Sequence, residues 1–504
     1  MKRILISTIA VSALLFNVSC DTNFDQDVSD IVVSKGDADF TKYVALGNSL
    51  TSGYRDNALY IDGQNESYPS MLAMQMKLAG GGEFLQPMVA DNNGGLLMGS
   101  TPIAATKLYL QGFDATGNPV IKNVPAAPTT DILKKVSGAI NNFGVPGAKT
   151  AHLIAPGYGN PAGLPNAANP YYVRFASSTT STVLSDALNQ NPTFVSLWIG
   201  NNDVLGYATT GGDGSNPITP IAGAVGTGFD GTYSYIVDAI FPANTTRKGV
   251  IANIPYVTSI PFFTAVPYKP VPGAKVAANL TALNGLYGQL KTALAALGVT
   301  DRIVDDFSAT AQNRVLMVDE SLPNLSTQLT TVFIASGMPA TQAAAFGQIY
   351  GQARQSRPTD MILLSTSALI GTAATGAPAQ INIYGLSYPL QDQHVLIPSE
   401  ATEIKTAVDA MNAKIKSIAT AKGLAFVDAN AKMTELSASS GIQFDAVKYS
   451  TKFITGGTFS LDGVHLTGRG YALIANEFIK AINTTYKSTL PMVNVNSYSG
   501  VQFP

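Results

Sequence analysis

The distribution of apolar and polar positions divides the chain into short buried runs and longer stretches with helical period. Tyr43–Leu46, Pro192–Ile199, Gly249–Ile254 and Leu424–Asp428 are runs of apolar residues that predict strands buried on both faces. Helical spacing follows in four places. Ser67–Leu78 carries Pro69 in its first turn, where a missing N–H is harmless. Ala274–Leu297 places Leu280, Leu283, Leu286, Leu290 and Leu294 at three- and four-residue steps. Ser399–Ala421 aligns Ile404, Val408, Met411, Ile415 and Ile418, with Ser399 as N-cap and Gly423 just past the end. Tyr471–Tyr486 turns Leu473, Ile474, Phe478 and Ile482 inward. Buried strands alternating with amphipathic helices predict an α/β fold, with a parallel sheet covered on both faces.

Segments near 80–140, 155–180, 206–232 and 308–390 interrupt this pattern and are read as insertions. The first three are punctuated by Gly, Pro and Asn and show no helical period. Leu108–Ile121 predicts a hairpin around Asp114–Asn118. The segment 308–390 is helical in its first half and carries Phe333, Ile334, Met338, Phe346, Ile349 and Tyr350 in a run without charge. Laid over a site, such a run would form an apolar wall or lid; the alternative is a small core of its own. Its uncharged runs, Ser321–Ala353 and Met361–Gln391, contain Pro, Gly, Gln or Asn, which argues against membrane spans. No internal repeat is visible, and the core runs span nearly the whole chain, so residues 41–504 are expected to form one domain.

The chain opens with Met1-Lys-Arg3, an apolar run from Ile4 to Phe16, and Asn17-Val-Ser-Cys20. A basic start, a short apolar run and small residues predict a signal peptide over 1–19. Cys20, the chain's single cysteine, stands where a bacterial lipoprotein carries its lipidated residue, although Asn17 occupies a position that usually holds Leu. An acid-rich stretch over 20–40 is expected to be a flexible tether. These features imply a lipid-anchored protein of the bacterial cell envelope, in the outer membrane, with no internal disulfide. Charged residues make up only 13% and the net charge is −2, so neither nucleic-acid binding nor electrostatic recruitment to a membrane is indicated.

Candidate chemistry sits where the strand runs end. Tyr43-Val-Ala-Leu breaks at Gly47 into Asn48, Ser49, Leu50 and Thr51, offering a hydroxyl at the carboxyl edge of a sheet. Thr51 stands where a G-x-S-x-G elbow requires its second Gly, so that motif is excluded. A serine nucleophile needs a base, and the base needs an orienting carboxylate. Of the three histidines, His152, His394 and His465, only His465 has an acid, Asp462, at turn spacing before a predicted helix. The other two are read as packing residues. The strand Pro192–Ile199 runs into Gly200-Asn-Asn-Asp203, and Asn142–Thr150 is a loop punctuated by Gly144 and Gly147.

These four stretches, in order, resemble the sequence blocks of the SGNH (GDSL-type) hydrolases, esterases and lipases of flavodoxin-like three-layer α/β/α fold. The resemblance implies Ser49 as nucleophile, His465 as base and Asp462 as its orienting acid. It implies an oxyanion hole from the N–H groups of Ser49 and Gly147 and the Asn202 side chain. Asn48 replaces the usual Asp of the Gly-Asp-Ser-Leu block, a position outside the implied triad. No cofactor and no metal is implied, and no cluster with ligand spacing is visible in the sequence. The expected substrate is an acyl or lipid-like ester. The alternatives are a carbohydrate O-acetyl esterase of the same fold and a non-catalytic surface-binding lipoprotein.

Overall fold

The computed structural model describes residues 32–114 and 117–504. The signal peptide, Cys20 and most of the expected tether lie outside the described residues, as do the hairpin-tip positions Ala115 and Thr116. The last part of the expected tether is held to the body: Ala38 and Phe40 are buried, and the Asp37 N–H donates to the Tyr486 carbonyl at 2.7 Å.

Five strands form the central sheet: β1 (Tyr43–Gly47), β2 (Asn142–Gly144), β3 (Phe194–Trp198), β4 (Lys248–Ala252) and β5 (Ala425–Val427). All pairings are parallel and the order is 2-1-3-4-5, that of a flavodoxin-like doubly wound sheet. Leu46 pairs with Phe143 on one side and Leu197 on the other. The strand order therefore reverses between β1 and β3, and ligands of such sheets bind in the crevice beyond that point.

Alternation along β3 explains why both faces are covered. Phe194 packs edge-on against Tyr486, and Trp198 against Phe478, on one face. That face is covered by α2 (Tyr68–Leu78) and α10 (Gly468–Tyr486), joined by the stacked pair Tyr68 and Phe478 at 4.7 Å. The opposite face is covered by α4 (Phe229–Ile240) and the long α8 (Pro398–Lys422), whose Ile404, Val408, Met411 and Ile415 are buried. The α8 stripe follows the predicted period, but its start does not. Ile397 is the N-cap and Pro398 the first helical residue, with the Glu400 carboxylate accepting the Ile397 N–H at 2.8 Å. Proline at N1 followed by an acid at N3 outweighs the Ser399 cap signal.

Two further departures are physical. The segment 206–232 was expected to lack helix, yet α3 (Asn202–Thr209) and the start of α4 occupy its ends, stabilised by tertiary burial of Val204, Tyr207 and Phe229. The predicted helix at 274–297 is helical nearly throughout but broken into a turn (Gly273–Val276), a 3₁₀ turn (Ala277–Asn279) and α5 (Leu280–Ala296), and it packs in a second hydrophobic cluster. That cluster runs from Val271 to Ile397 and includes α6 (Ser326–Ala335) and α7 (Ala340–Tyr350). At its edge, the buried Arg354 guanidinium bonds Asp319 and holds Asp360 in a two-pronged pair at 2.6 and 2.9 Å. Phe333, Phe346 and Tyr350 form edge-to-face contacts within this cluster. Of the two readings of Phe333, Ile334, Met338, Phe346, Ile349 and Tyr350, this packing supports the small core of its own. Five of the six pack in or against the second cluster, and Ile334 is exposed.

Candidate active site

β1 ends in a short helical turn, α1 (Ser49–Ser52), which lifts Ser49 to the carboxyl edge of the sheet. The turn lies so close to β3 that a Cβ on Gly47 would meet the Trp198 carbonyl oxygen at 2.4 Å and Thr51 Oγ1 at 2.2 Å. Asn48 accepts the Leu50 N–H on its side-chain oxygen at 3.0 Å and caps the turn. Behind the turn, Thr51 Oγ1 is bonded to the Tyr68 hydroxyl at 3.1 Å, and Asn142 Nδ2 donates to the Thr51 carbonyl at 2.9 Å. Ser49 opens α1, so its N–H has no acceptor within that helix.

Asp462 and His465 come from the tight turn before α10. Asp462 Oδ1 accepts the N–H groups of Val464 and His465, each at 2.8 Å, and the Ser460 hydroxyl at 3.1 Å. Asp462 Oδ2 accepts the Asn57 N–H and faces His465 Nδ1, both at 2.9 Å. Burial pushes the Asp462 carboxyl up, but the His465 charge and these N–H donors outweigh it and hold the carboxyl well below its usual range. Facing a carboxylate, Nδ1 carries the ring proton, which leaves Nε2 as an acceptor. Nε2 lies 2.9 Å from Ser49 Oγ, across 416 positions of sequence. The Tyr54 ring packs 4.7 Å from the imidazole and limits its rotation.

The Gly200–Asp203 stretch begins α3 directly after β3. Asn202 Nδ2 donates to the Ala148 carbonyl at 2.9 Å, leaving its second N–H uncommitted by that bond. The neighbouring Gly147 takes φ +80°, is exposed, and has no acceptor on its N–H among the described residues. Its loop is clamped by Asp203, whose Oδ2 accepts both the N–H and the hydroxyl of Thr150 at 2.9 and 2.8 Å. Burial pushes the Asp203 carboxyl up. Ser49, Asn202 and His465 line one cavity of about 60 Å³, whereas Gly147 stands outside its wall. The rest of that wall is largely apolar: Leu50, Trp198, Leu205, Val257, Met433 and Val464 contribute to it.

Several residues here escaped the sequence reading. Asn57, Ser460 and Asp56, which accepts the Leu461 N–H at 3.0 Å, brace the Asp462 turn from both sides. The positive φ of Asp56 and Asn57 marks a tight turn, and the signal available was their position just after the Ser49 block. His152 and His394 each accept a backbone N–H on Nδ1, from Lys149 and Gln391, and burial lowers both pKa values. Neither lines the Ser49 cavity.

The sequence showed no metal-ligand cluster, but the fold gathers one set of carboxylates. Oxygens of Glu320, Asp392 and Glu400 lie within 4.8 Å of one another. Burial, then the neighbouring acids, push Asp392 up to about 6 and raise Glu400 further. None of the three lines the Ser49 cavity. Adjacent carboxyls at this separation cannot all ionise cheaply.

The parallel sheet thus brings a serine, a histidine and an amide together at its switch-point crevice. The family model described as GDSL-like Lipase/Acylhydrolase matches residues 337–478, which include Asp462 and His465. Over that stretch the chain is similar to GDSL-like lipases and acylhydrolases, which supports a hydrolase. Neither the curated proteins nor the solved structures compared with it gave a match.

Proposed function

We propose that this protein is a serine hydrolase that cleaves carboxylic esters of acyl or lipid-like substrates. The observation that carries the proposal is the unbroken chain Ser49 Oγ, His465 Nε2, His465 Nδ1, Asp462 Oδ2, with both contacts at 2.9 Å. His465 takes the Ser49 proton as Oγ attacks the ester carbonyl, and then delivers it to the leaving alkoxide. Water, activated by the same imidazole, releases the acid and restores Ser49. Asp462 keeps the proton on Nδ1 and stabilises the imidazolium. The Ser49 N–H, the Asn202 amide and the Gly147 N–H, brought in by the loop that Asp203 clamps, stabilise the oxyanion.

The cavity supports an acyl substrate over an acetylated glycan. Apart from Ser49, His465 and the amides of Asn48, Asn201 and Asn202, its wall is aliphatic and aromatic, whereas a sugar needs further polar partners for its hydroxyls. These walls come from α1, β3, α3, the segment after β4, the His465 turn and Met433 of α9 (Ala429–Ser437), and none of them from the insertion at 308–390. We also propose that the mature chain starts at Cys20 and is lipid-anchored in the cell envelope; the acid-rich segment before residue 32 then spaces the domain from the membrane. Among the described residues no helix is long and apolar enough to cross a membrane.

The test is labelling with a fluorophosphonate, followed by p-nitrophenyl esters from acetate to decanoate and acetate release from acetylated xylan. Ser49→Ala is expected to abolish labelling and to lower turnover by up to about 10⁶. Labelling at another serine would overturn the assignment. Activity confined to acetate and acetylated glycans would replace the acyl reading by the carbohydrate esterase.

A further inference from the structure

Beside the Ser49 cavity lies a second one of about 50 Å³, under α9 and α10. The two share Trp198, Pro255, Met433 and Leu466 in their walls, so these residues form a common partition. Beyond the partition the wall is apolar, with Leu436, Ile442, Leu473 and Ile474. Its polar groups are already engaged. The Thr458 hydroxyl donates to the Ser450 carbonyl at 2.6 Å, and the Trp198 indole N–H to the Asn253 carbonyl at 3.0 Å. Lys432 is paired with Glu435 and Glu477 at 2.7 and 3.4 Å. A chamber whose polar groups are satisfied offers little to water or to a sugar, and suits hydrocarbon.

We propose that this second cavity is the distal subsite for the acyl chain of the ester cleaved at Ser49, and that Met433 is the gate between the two. The inference rests on the serine-hydrolase reading and names the substrate class more closely: esters of medium to long unbranched fatty acids. The acyl part is the one that belongs against this apolar wall. It stays covalently on Ser49 while the alcohol departs and water enters, so the alcohol side must remain open. Met433 is half-buried in the partition. Its unbranched thioether has three rotatable bonds, so it can swing aside for an alkyl chain at small cost. The other partition residues are more rigid: a proline, a tryptophan bonded at its ring nitrogen, and a branched leucine.

The experiment measures kcat/KM for p-nitrophenyl esters from acetate to laurate, beside alkyl acetates of growing alcohol length. The expected profile rises with acyl length, by up to about fourfold per methylene buried, and continues past butyrate. Alkyl acetates show no such rise. Leu473→Trp, which fills the second cavity, is expected to lower the decanoate-to-butyrate ratio by about tenfold or more, the equivalent of two buried methylenes. Met433→Ala, which opens the partition, is expected to raise it. Fluorophosphonate labelling reports whether each variant folds, and Ile442→Trp fills the same chamber from the opposite wall should Leu473→Trp not fold. A profile that is flat or falling beyond butyrate, a ratio unmoved by either Trp variant, or a rise with alcohol length alone overturns the distal subsite. Absence of both labelling and ester cleavage in the native protein would instead overturn the serine-hydrolase reading itself.

Discussion

Asp462→Asn gives the sharpest test of how the site works, because the surrounding donors leave an amide no comfortable orientation. Both carboxylate oxygens accept backbone N–H groups: Val464 and His465 on Oδ1, Asn57 on Oδ2. An asparagine NH₂ in the Oδ1 position would oppose two N–H donors. In the Oδ2 position it opposes only the Asn57 N–H and the imidazole, which can change tautomer. The second orientation is therefore favoured. It leaves one backbone N–H unpaired, at a cost of about 1–3 kcal/mol in stability. It also makes Nδ1 an acceptor and moves the ring proton to Nε2, which then points a donor at Ser49 Oγ. A base protonated on its working nitrogen cannot accept the serine proton, and turnover should fall by about 10⁴. The assay is steady-state hydrolysis of a p-nitrophenyl ester with parallel fluorophosphonate labelling rates and a denaturant titration. The expected result is a loss carried by kcat, with slowed labelling and a folded protein. Turnover within tenfold of the native value would refute the tautomer argument. Unfolding of the variant would show instead that the turn depends on the carboxylate more than this count of donors allows. The acid side follows from the same contacts. A carboxyl held below its ordinary range contributes stability above that range, and the contribution is lost as pH falls through the folded value.

Three further outcomes are expected. Asn202→Ala should lower kcat by about 10²–10³ with little change in thermal stability, measured by ester hydrolysis and calorimetry; an unchanged kcat would remove Asn202 from the oxyanion hole. Glu400 is raised above the ordinary carboxyl range, so the native state holds a proton that the unfolded chain releases, and that stability is lost as pH rises. Glu400→Gln keeps the bond to the Ile397 N–H and removes the charge, and should raise Tm by about 1–3 °C near pH 8 and flatten its pH dependence, followed by thermal scanning; a lower Tm at that pH would contradict the repulsion. Cys20→Ser should shift the protein from the membrane to the soluble fraction on cell fractionation, and a variant that stays with the membrane after signal cleavage would remove the anchor from the proposal.

The sequence by itself determined the parts of the molecule whose signals are local. Apolar runs ending at Gly47 and Gly200 marked strands that stop at a sheet edge, because a buried strand must be apolar on both faces and must turn where it meets solvent. The three-residue spacing of Asp462 and His465 already allowed the 2.9 Å contact between them, since one turn spans it. The helical stripes of α8 and α10 were legible for the same reason, their period being a property of the local backbone. Periodicity states which residues seek burial, however, and not against what. Phe333, Phe346 and Tyr350 were correctly apolar, yet only the fold directed them into a second core with Leu283 and Leu290. The wall facing Ser49 draws instead on Val257, Ile260 and Met433, which carry no motif and meet only because β4 and β5 are neighbours in the sheet. The gathering of Glu320, Asp392 and Glu400 and the bracing of Asp462 by Asn57 were equally invisible. Convergence of residues far apart in the chain is fixed by strand order and helix packing, which no window of sequence contains.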